Sequence, residues 1–371
     1  MSAPLDRRVR GKRFAGPGVV RKSRRWLASA LAITGLSVGL AASGSSATAA
    51  SPASEAASTK VPLVVYAAEG YDSAMTAAFQ KATGIPTTLY DDHTGIVIAK
   101  IEAERSNPQW GLVWLDGDQA LYTMNQQGQL LRGWQPTASY TTQGQAFVPA
   151  DHSYLPTGFT VAGAIFYNSN QVSAPPRTWQ DLLSSRFSGK VGILNPAIDG
   201  PAYPVYAGMM QQLGGVSQGQ RFITQMKANG AQLFTDPHVE LAALENGQIN
   251  VMIAQSAYGI GAAEKSPNIK GVYPRYVTPV PSVIGIDRKV SAAEQAEAKK
   301  FVAFVLSPAG QQVMKSGDPT GDSLYWPVLN GEVSRPQLPP LASTPIKALS
   351  PSVWGPREQT VNSWFSANIA L

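Results

Sequence analysis

The stretch that decides the fold is VPLVVYAAEGYDSAMTAAFQKATG, residues 61–84. Its first part, Val61–Ala68, is a continuous apolar run with β-branched residues, which is typical of a parallel strand buried on both faces. Ser73–Thr83 then places apolar side chains on one helical face, and Gly84 ends the predicted helix. A buried strand that leads directly into a helix predicts a βαβ unit and a parallel sheet.

The alternation of strands and helices continues in two blocks that are joined by extended segments. Further strands are predicted at 87–90, 111–115, 159–167, 191–194, 250–254 and, as one or two extended segments, within 272–286. Further helices are predicted at 94–105, 118–126, 179–183, 203–213, 220–228, 237–244 and 292–306. We therefore expect an α/β fold of two lobes. The carboxyl ends of both sets of strands should meet at a common cleft, where open α/β sheets bind ligands.

The net charge of +6 over 371 residues comes from the amino-terminal segment. Residues 1–25 carry nine basic residues against Asp6 alone, and residues 26–49 carry no charge. The rest of the chain holds 21 basic and 23 acidic residues. A slightly acidic body does not condense on nucleic acid by counterion release, so we expect no nucleic-acid partner.

Residues 1–49 follow the order of a secretory signal peptide. A basic region, an apolar run from Trp26 to about Ala42 and the small residues Ala47-Thr48-Ala49 predict export to the periplasm, with cleavage after Ala49. Arg24-Arg25 resembles a twin-arginine signal, and the general secretory route stays open. A membrane anchor is the alternative, but the apolar run falls short of the roughly 20 residues that a span requires.

Composition and motifs exclude most kinds of chemistry. The chain has no cysteine and only three histidines, His93, His152 and His238, which are too scattered for an imidazole metal site. The sequence contains no G-x-S-x-G, Walker A or H-E-x-x-H motif. Gly259–Glu264 begins like a dinucleotide fingerprint, but a glutamate replaces the third glycine, so we interpret it as a tight strand–helix turn. We predict a protein that is not an enzyme and needs no cofactor.

Five short motifs occur in a fixed order along the chain. They are VVYAAEG at 64–70, AFQKATGI at 78–85, AKIEAERSNPQ at 99–109, TWQDLL with GKV within 178–191, and LSPAGQQ at 306–312. In this order they resemble the solute-binding proteins of bacterial ABC importers of the type II fold. The similarity runs from about Val61 to Tyr325 and is strongest to members for ferric iron, thiamine or phosphonates. It implies two α/β lobes, a ligand cleft between them and hinge strands.

The resemblance and the two blocks together give the predicted domain boundaries. Residues 1–49 are assigned to the signal peptide, 50–60 to a flexible spacer, 61–157 plus about 283–325 to lobe 1, about 158–282 to lobe 2, and 326–371 to a Pro-rich carboxyl-terminal extension. Hinges are expected near 155–168 and 274–283. Trp354 and Trp364 are expected to hold the extension on the body.

Loops that follow the strands of the first lobe supply one group of predicted ligand-binding residues. A carboxylate suits a cationic group, glycine permits close approach, and tyrosine offers a flat face or a hydroxyl. A helix start offers free N–H groups to an anion, although Asp92 or Thr94 could simply cap that helix, as Asp118 could cap the next. The predicted residues are Glu69, Gly70, Tyr71, His93, Thr94, Gly95 and Asp116.

Loops of the second lobe supply the other group, at positions where the resemblance implies that the ligand is clamped. Each loop could also be an ordinary turn between a strand and a helix. The predicted residues are Asn195, Asp199, Gly200, Gln255, Ser256 and Tyr258, with Ser282 and Asp318 as further candidates.

The acidic loops opposite helix starts favour a zwitterionic or phosphorus-containing solute, such as an aminoalkylphosphonate. Thiamine and ferric iron are the alternatives. Iron-binding members often carry adjacent tyrosines where this chain has Ala257-Tyr258, so no metal site is assigned. Tyr258 and Glu69 would be ligands only if the solute were ferric iron.

The expected mechanism is closure of two lobes about a small-molecule solute by a monomeric receptor, which delivers it to an inner-membrane ABC permease. An enzyme on the same scaffold, as in porphobilinogen deaminases, would need a cofactor held by a cysteine, and the chain has none. A sensory binding protein without a transporter is the remaining alternative.

Overall fold

The structure is a computed structural model that describes residues 60–370. Two long strands run through the middle of its sheet. The predicted signal peptide and nearly all of the predicted spacer lie outside the described residues. The strands are β1 Leu63–Ala67, β2 Thr87–Asp91, β3 Leu112–Asp116, β4 Leu155–Asn168, β5 Val191–Leu194, β6 Gln232–Phe234, β7 Val251–Gln255, β8 Ile269–Val272 and β9 Thr278–Ile286.

The helices cover both faces of the sheet, as the alternation predicts, and several short ones follow the last strand. They are α1 Asp72–Thr83, α2 Thr94–Ala103, α3 Asp118–Gln126, α4 Thr142–Gln145, α5 Ala202–Gln212, α6 Val216–Ala228, α7 Pro237–Glu245, α8 Ser256–Lys265, α9 Ala292–Val305, α10 Pro308–Gly317, α11 Pro351–Trp354 and α12 Glu358–Asn368. Within residues 60–370, no helix has the length and apolar content to cross a bilayer.

The sheet order is β2-β1-β3-β9-β4-β7-β5-β6, with β8 paired to β4. Strands β1, β2 and β3 are mutually parallel, and so are β5, β6 and β7. We refer to these strands and their helices, residues 63–126 and 191–265, as the first and second βα groups. The antiparallel pairs β3–β9, β9–β4 and β4–β7 link the groups. The two groups therefore point in opposite directions.

The carboxyl ends of the two groups meet at the middle of β4 and β9. Strand β3 ends at Asp116, opposite Ser282 of β9, and β7 ends at Gln255, opposite Ala162 of β4. Strands β4 and β9 pair with each other past both points. The loops after both sets of strands consequently face the same space, as the sequence predicts.

The end of the chain packs on the second βα group through aromatic residues. The Trp354 side chain is 3% exposed, and its backbone carbonyl accepts a hydrogen bond from the Tyr203 hydroxyl. Phe365 is fully buried, with its ring centroid 4.9 Å from that of Tyr206. The indole of Trp364 packs against the same core. Both tryptophans thus contact the second βα group, and helix α12 within the extension was not predicted.

Three local predictions were wrong. Gly259–Glu264 lies inside α8 and is not a turn. A Cβ at position 261 would lie 1.9 Å from the carbonyl oxygen of Thr320, so this glycine serves close packing. Helix α2 begins with no side-chain cap from Asp92 or Thr94. Asp118 is the first residue of α3 and follows Gly117 without capping the helix.

We predict that Phe365→Ala lowers the free energy of unfolding by about 3–5 kcal/mol, because it removes a buried ring from a packed core. Urea titration followed by circular dichroism measures this change. Phe365→Leu should cost less, since most of the volume is kept. Val353→Ala is the control, because Val353 is 43% exposed on neighbouring α11. A Phe365→Ala protein as stable as the Val353→Ala protein would contradict the proposed anchoring.

Candidate functional site

A cavity of about 330 Å³ lies where the loops of the two βα groups meet. The first group lines it with the loops after β1, β2 and β3, and the second with the starts of α5, α7 and α8. The loop after α10 closes it. We call it the acidic cavity, and its lining is Ala68, Glu69, Gly70, Asp72, Ser73, Asp91, Asp92, His93, Thr94, Asp116, Asp199, Gly200, Pro201, His238, Tyr258, Asp318 and Asp322.

Carboxyl groups dominate this lining. Eight of the residues are Asp or Glu, whereas none of the described lining residues is Lys or Arg. The lining also holds two exposed imidazoles, those of His93 and His238. A concave site with charges of one sign focuses its potential and attracts ions of the opposite sign. The cavity therefore favours a solute that carries positive charge.

Three of these carboxyls form a tight cluster at the inner end of the cavity. Glu69, Asp116 and Asp322 each present an oxygen within 4.8 Å of the other two, and all three are buried. Glu69 follows β1, Asp116 ends β3, and Asp322 comes from the loop after α10. Because three separate segments supply it, the cluster exists only in the folded chain.

Each carboxyl of the cluster accepts a hydrogen bond. The Ser282 hydroxyl donates to Oε1 of Glu69 at 2.5 Å, and the Gln255 amide donates to Oδ2 of Asp116 at 2.7 Å. The backbone N–H of Gly70 donates to Oδ2 of Asp322, also at 2.7 Å. These bonds fix the orientation of the carboxyls, and Oε2 of Glu69 and Oδ1 of Asp322 have no hydrogen-bond partner within residues 60–370.

Ser282 sits at the centre of a buried network beneath the cluster. Its Oγ accepts from the indole N–H of Trp114 at 2.9 Å and lies within hydrogen-bond distance of the Tyr71 and Thr157 hydroxyls. Since Ser282 lies on β9 and Thr157 on β4, both long strands contribute to the floor of the cavity. This candidate from the sequence therefore supports the site from behind.

Burial raises the pKa of every carboxyl in the cluster. For Glu69 the nearby charges of Asp116 and Asp322 add to the effect, and its pKa lies well above the usual range. The pKa of Asp116 is likewise well raised by burial and by Asp322. Burial raises the pKa of Asp322 to about 6. Three adjacent buried carboxyls cannot all ionise without a compensating cation.

The two βα groups touch at the outer edge of the acidic cavity. The Gly95 N–H at the start of α2 donates to the carbonyl oxygen of Ile198 at 3.1 Å. A Cβ at Gly200 would lie 2.4 Å from Oγ1 of Thr94. Beyond this contact a second cavity of about 870 Å³ extends between α2, α3 and α12. The contact at Thr94 and Gly200 thus separates the acidic cavity from the outer one.

The structure brings most of the predicted site residues together. Glu69, Gly70, His93, Thr94, Asp116, Asp199, Gly200 and Tyr258 line the acidic cavity, as does the further candidate Asp318. Tyr71 and Gln255 line a closed recess directly behind the carboxyl cluster, together with Ser282. Gly95 lines the outer cavity. Their role in binding stays a prediction.

Two predicted residues lie outside these cavities, and several lining residues were missed. The Asn195 carbonyl Oδ1 accepts from the Ala197 N–H, and the Ser256 hydroxyl accepts from the Val161 N–H, so both side chains brace backbone. The residues not predicted include Asp72, His238 and Asp322. The sequence DPTGD at 318–322 was the available signal for Asp322, since it places two carboxyls in a glycine-containing loop.

Residues 128–338 match the family model described as bacterial extracellular solute-binding protein. The chain belongs to this family. It is 28% identical over 244 residues to a putative 2-aminoethylphosphonate-binding periplasmic protein of Salmonella paratyphi A, covering 63% of this chain and 68% of that protein. The expectation of a periplasmic solute-binding protein of the ABC transporter class is thereby confirmed.

Solved structures of other solute-binding proteins share the fold. The periplasmic binding protein P5PA matches with a TM-score of 0.74 at 19% identity, over 83% of this chain and 99% of that one. AfuA from Actinobacillus pleuropneumoniae, solved with fructose-6-phosphate, also reaches 0.74 at 19% identity, over 84% and 100%. Iron-bound HitA from Pseudomonas aeruginosa gives 0.68 at 20% identity, over 82% and 98%. These matches confirm the two-lobed periplasmic-binding-protein fold.

We predict that the solute-free protein becomes less stable as the pH rises from about 4 to 7. Burial raises the pKa of Asp72 and of Asp199 to about 7 in the folded chain. An unfolded Asp titrates near 3.9, so ionising each group within that window costs the folded state on the order of 4 kcal/mol at most. The melting temperature measured from pH 4.5 to 8 should fall with rising pH.

The matched control for this prediction is Asp199→Asn, which keeps an acceptor for the Ala202 N–H that now donates to Asp199. The variant should show a shallower loss of melting temperature with rising pH. A melting temperature that increases across the same interval in the parent protein would contradict the assignment.

Proposed function

We propose that this protein captures a small polar solute with a cationic and an anionic end, such as an aminoalkylphosphonate, and delivers it to an inner-membrane ABC permease. The observation that carries the proposal is the acidic cavity between the two βα groups. Its size suits a small molecule, and its carboxyls suit a positive charge. The name of the Salmonella relative supports the phosphonate end.

Two features at the rim of the acidic cavity can stabilise the anionic end of the solute. His93 precedes α2 and His238 lies in the first turn of α7, so each βα group contributes an imidazole whose ring N–H can donate to an anion. The start of α8 carries no side-chain cap, and Tyr258 in its first turn lines the cavity. Backbone N–H groups at a helix start stabilise anions. A zwitterion can thus lie with its ammonium end inward and its acidic end toward the histidines.

Closure requires the two groups to move as lobes about the long strands. We assign lobe 1 to residues 61–157 plus about 283–325 and lobe 2 to about 158–282, with residues 326–371 as an extension on the body. The hinges lie near 155–168 and 274–283. The receptor acts as a monomer without catalysis or nucleic-acid binding, and residues 1–49 direct its export.

Solute binding should raise the melting temperature and compact the protein. 2-Aminoethylphosphonate, thiamine and ferric citrate are tested by thermal shift, calorimetry and small-angle scattering, beside native mass spectrometry of protein purified from the periplasm. The aminophosphonate should bind and reduce the radius of gyration. If no compound of a broad metabolite library shifts the melting temperature and no solute co-purifies, the proposed function is wrong.

Ferric iron is the alternative that the same experiment decides. Burial and the neighbouring Asp322 and Asp199 raise the pKa of Tyr258 well above its ordinary value, so its hydroxyl stays protonated. Iron would have to displace this proton to gain a tyrosinate ligand. A visible iron–tyrosinate absorption band that appears on addition of ferric citrate and is lost in Tyr258→Phe would show that ferric iron, and not a zwitterion, is the solute.

Gly200→Val tests closure itself. A side chain at position 200 collides with Thr94 across the cavity edge, so the variant should keep its fold but hold the lobes apart. We expect at least a tenfold loss of affinity for the aminophosphonate and no compaction in scattering. Ala293→Val, an exposed substitution on α9, is the control. Unchanged affinity in Gly200→Val would contradict closure at this contact.

A further inference from the structure

Three buried oxygen atoms within and directly behind the carboxyl cluster accept no hydrogen bond from any residue within 60–370. They are Oε2 of Glu69, Oδ1 of Asp322 and Oε1 of Gln255. The side chains are 3%, 9% and 1% exposed. Native proteins satisfy nearly all buried acceptors, so such a group requires an explanation. The Gln255 oxygen lies in the closed recess behind the carboxyls, so the oxygens that a solute in the acidic cavity can reach are those of Glu69 and Asp322.

The size of the cluster limits how far a bound atom can lie from the three carboxyls. The oxygens of Glu69, Asp116 and Asp322 lie no more than 4.8 Å apart, so one atom can lie within about 2.8 Å of all three. Charge-assisted N–H···O bonds have this length, about 2.7–2.9 Å. Magnesium requires oxygens at about 2.0–2.1 Å and calcium at about 2.3–2.6 Å. The upper limit of the spacing admits a nitrogen donor, and shorter spacings within it admit calcium, so the choice between an ammonium and a metal ion rests on the shape of the cavity and on the Mn²⁺ arm of the test.

The space around the cluster limits what can reach it. The recess behind the carboxyls, lined by Tyr71 and Gln255 among others, has essentially no free volume. The acidic cavity in front of them has about 330 Å³. A bound group must therefore end at the carboxyl layer, with the rest of its molecule in front. A hydrogen-bond donor at the end of a molecule fits this shape, whereas a bare metal ion would leave most of the acidic cavity unfilled.

We propose that Glu69, Asp116 and Asp322 seat a primary ammonium group of the solute, with Gln255 and Ser282 as positioning residues. The inference rests on the proposed function and specifies the end of the solute that enters first. A primary ammonium has three N–H donors, one for each carboxyl. Gln255 donates to Oδ2 of Asp116 and Ser282 donates to Oε1 of Glu69, which fixes both carboxyls and leaves Oε2 of Glu69 free to accept from the nitrogen.

The charges that face the cluster support a cation of this kind. Burial and mutual repulsion raise the pKa values of Glu69 and Asp116, so an arriving cation replaces protons that these groups hold. The groups that act on them from the surrounding elements are Asp322, Asp199, the Tyr71 hydroxyl, the Ser282 hydroxyl and the Gln255 amide. None of these groups is a permanent cation. The ammonium is thus the missing positive charge at this end of the cavity.

The seat also excludes substituted nitrogens. Each methyl group on the nitrogen removes one N–H donor and holds the charge farther from the oxygens. A trimethylammonium has no N–H and cannot come within hydrogen-bond distance of three converging carboxyls. The geometry therefore selects the degree of substitution of the nitrogen as well as its charge.

The test compares four compounds by calorimetry: 2-aminoethylphosphonate, its N,N,N-trimethyl analogue, ethylphosphonate and 1,4-diaminobutane, with Mn²⁺ alone as a fifth arm. Against the aminophosphonate, the trimethyl analogue and ethylphosphonate should each bind at least about 100-fold more weakly. The aminophosphonate should lose at least about 30-fold in Glu69→Gln and in Asp116→Asn. Glu264→Gln, an exposed carboxyl on α8, is the matched control and should bind as the parent does.

A readout besides affinity separates recognition from folding. Both cluster variants should melt at or above the parent temperature at pH 8, because each removes a buried carboxyl that resists ionisation.

A trimethyl analogue or ethylphosphonate that binds within threefold of the aminophosphonate would overturn the ammonium seat and leave the proposed function standing. Tight Mn²⁺ binding that Asp116→Asn abolishes would also overturn the seat, in favour of a metal. If no amine binds but another solute co-purifies, only the seat fails; if nothing binds or co-purifies, both proposals fail.

Discussion

The antiparallel pairing of β4 with β9 is the constraint on which the remainder of the structure depends. These two strands are paired from Leu155 to Ala162 and from Thr278 to Ile284, and the two parallel groups attach on either side of them. Since the groups run in opposite directions, their carboxyl ends converge from opposite sides. This topology by itself creates a cavity, because the loops of both groups must share one space.

The site buries carboxyl groups where apolar side chains would give a more stable fold. Glu69 and Asp116 are buried beside Asp322 with raised pKa values, and the inner oxygens of Glu69 and Asp322 lack partners among the described residues. A core that only had to be stable would fill this region with apolar side chains. The hydroxyl of Ser282, the amide of Gln255 and the N–H of Gly70 fix the carboxyls in this unfavourable arrangement. The folded chain thus holds three buried carboxyls in place with no Lys or Arg among the residues that line the acidic cavity.

Sequence patterns predicted the elements better than the contacts between them. The buried run Val61–Ala68 and the amphipathic helix after it have periodicities that depend on local residues, and both were confirmed. Asp322 was missed because its partners lie about 200 and 250 positions away and only folding brings them together. Gly259–Glu264 was misread because the need for glycine at 261 arises from Thr320, which no local pattern reveals. Side chains that end strands were predictable; those carried in by distant loops were not.

The carboxyl-terminal extension touches both halves of the molecule. Trp326 stacks on Phe159, and Ile346 bridges to Val277 beside the long strands. Trp354 is anchored on the second βα group, while Gly355 next to it lies against the Gln119 carbonyl of the first. Any rearrangement of one half relative to the other must therefore also displace residues 326–371, which contact both. The extension thus couples the two βα groups outside the sheet, so its sequence bears on how easily they separate.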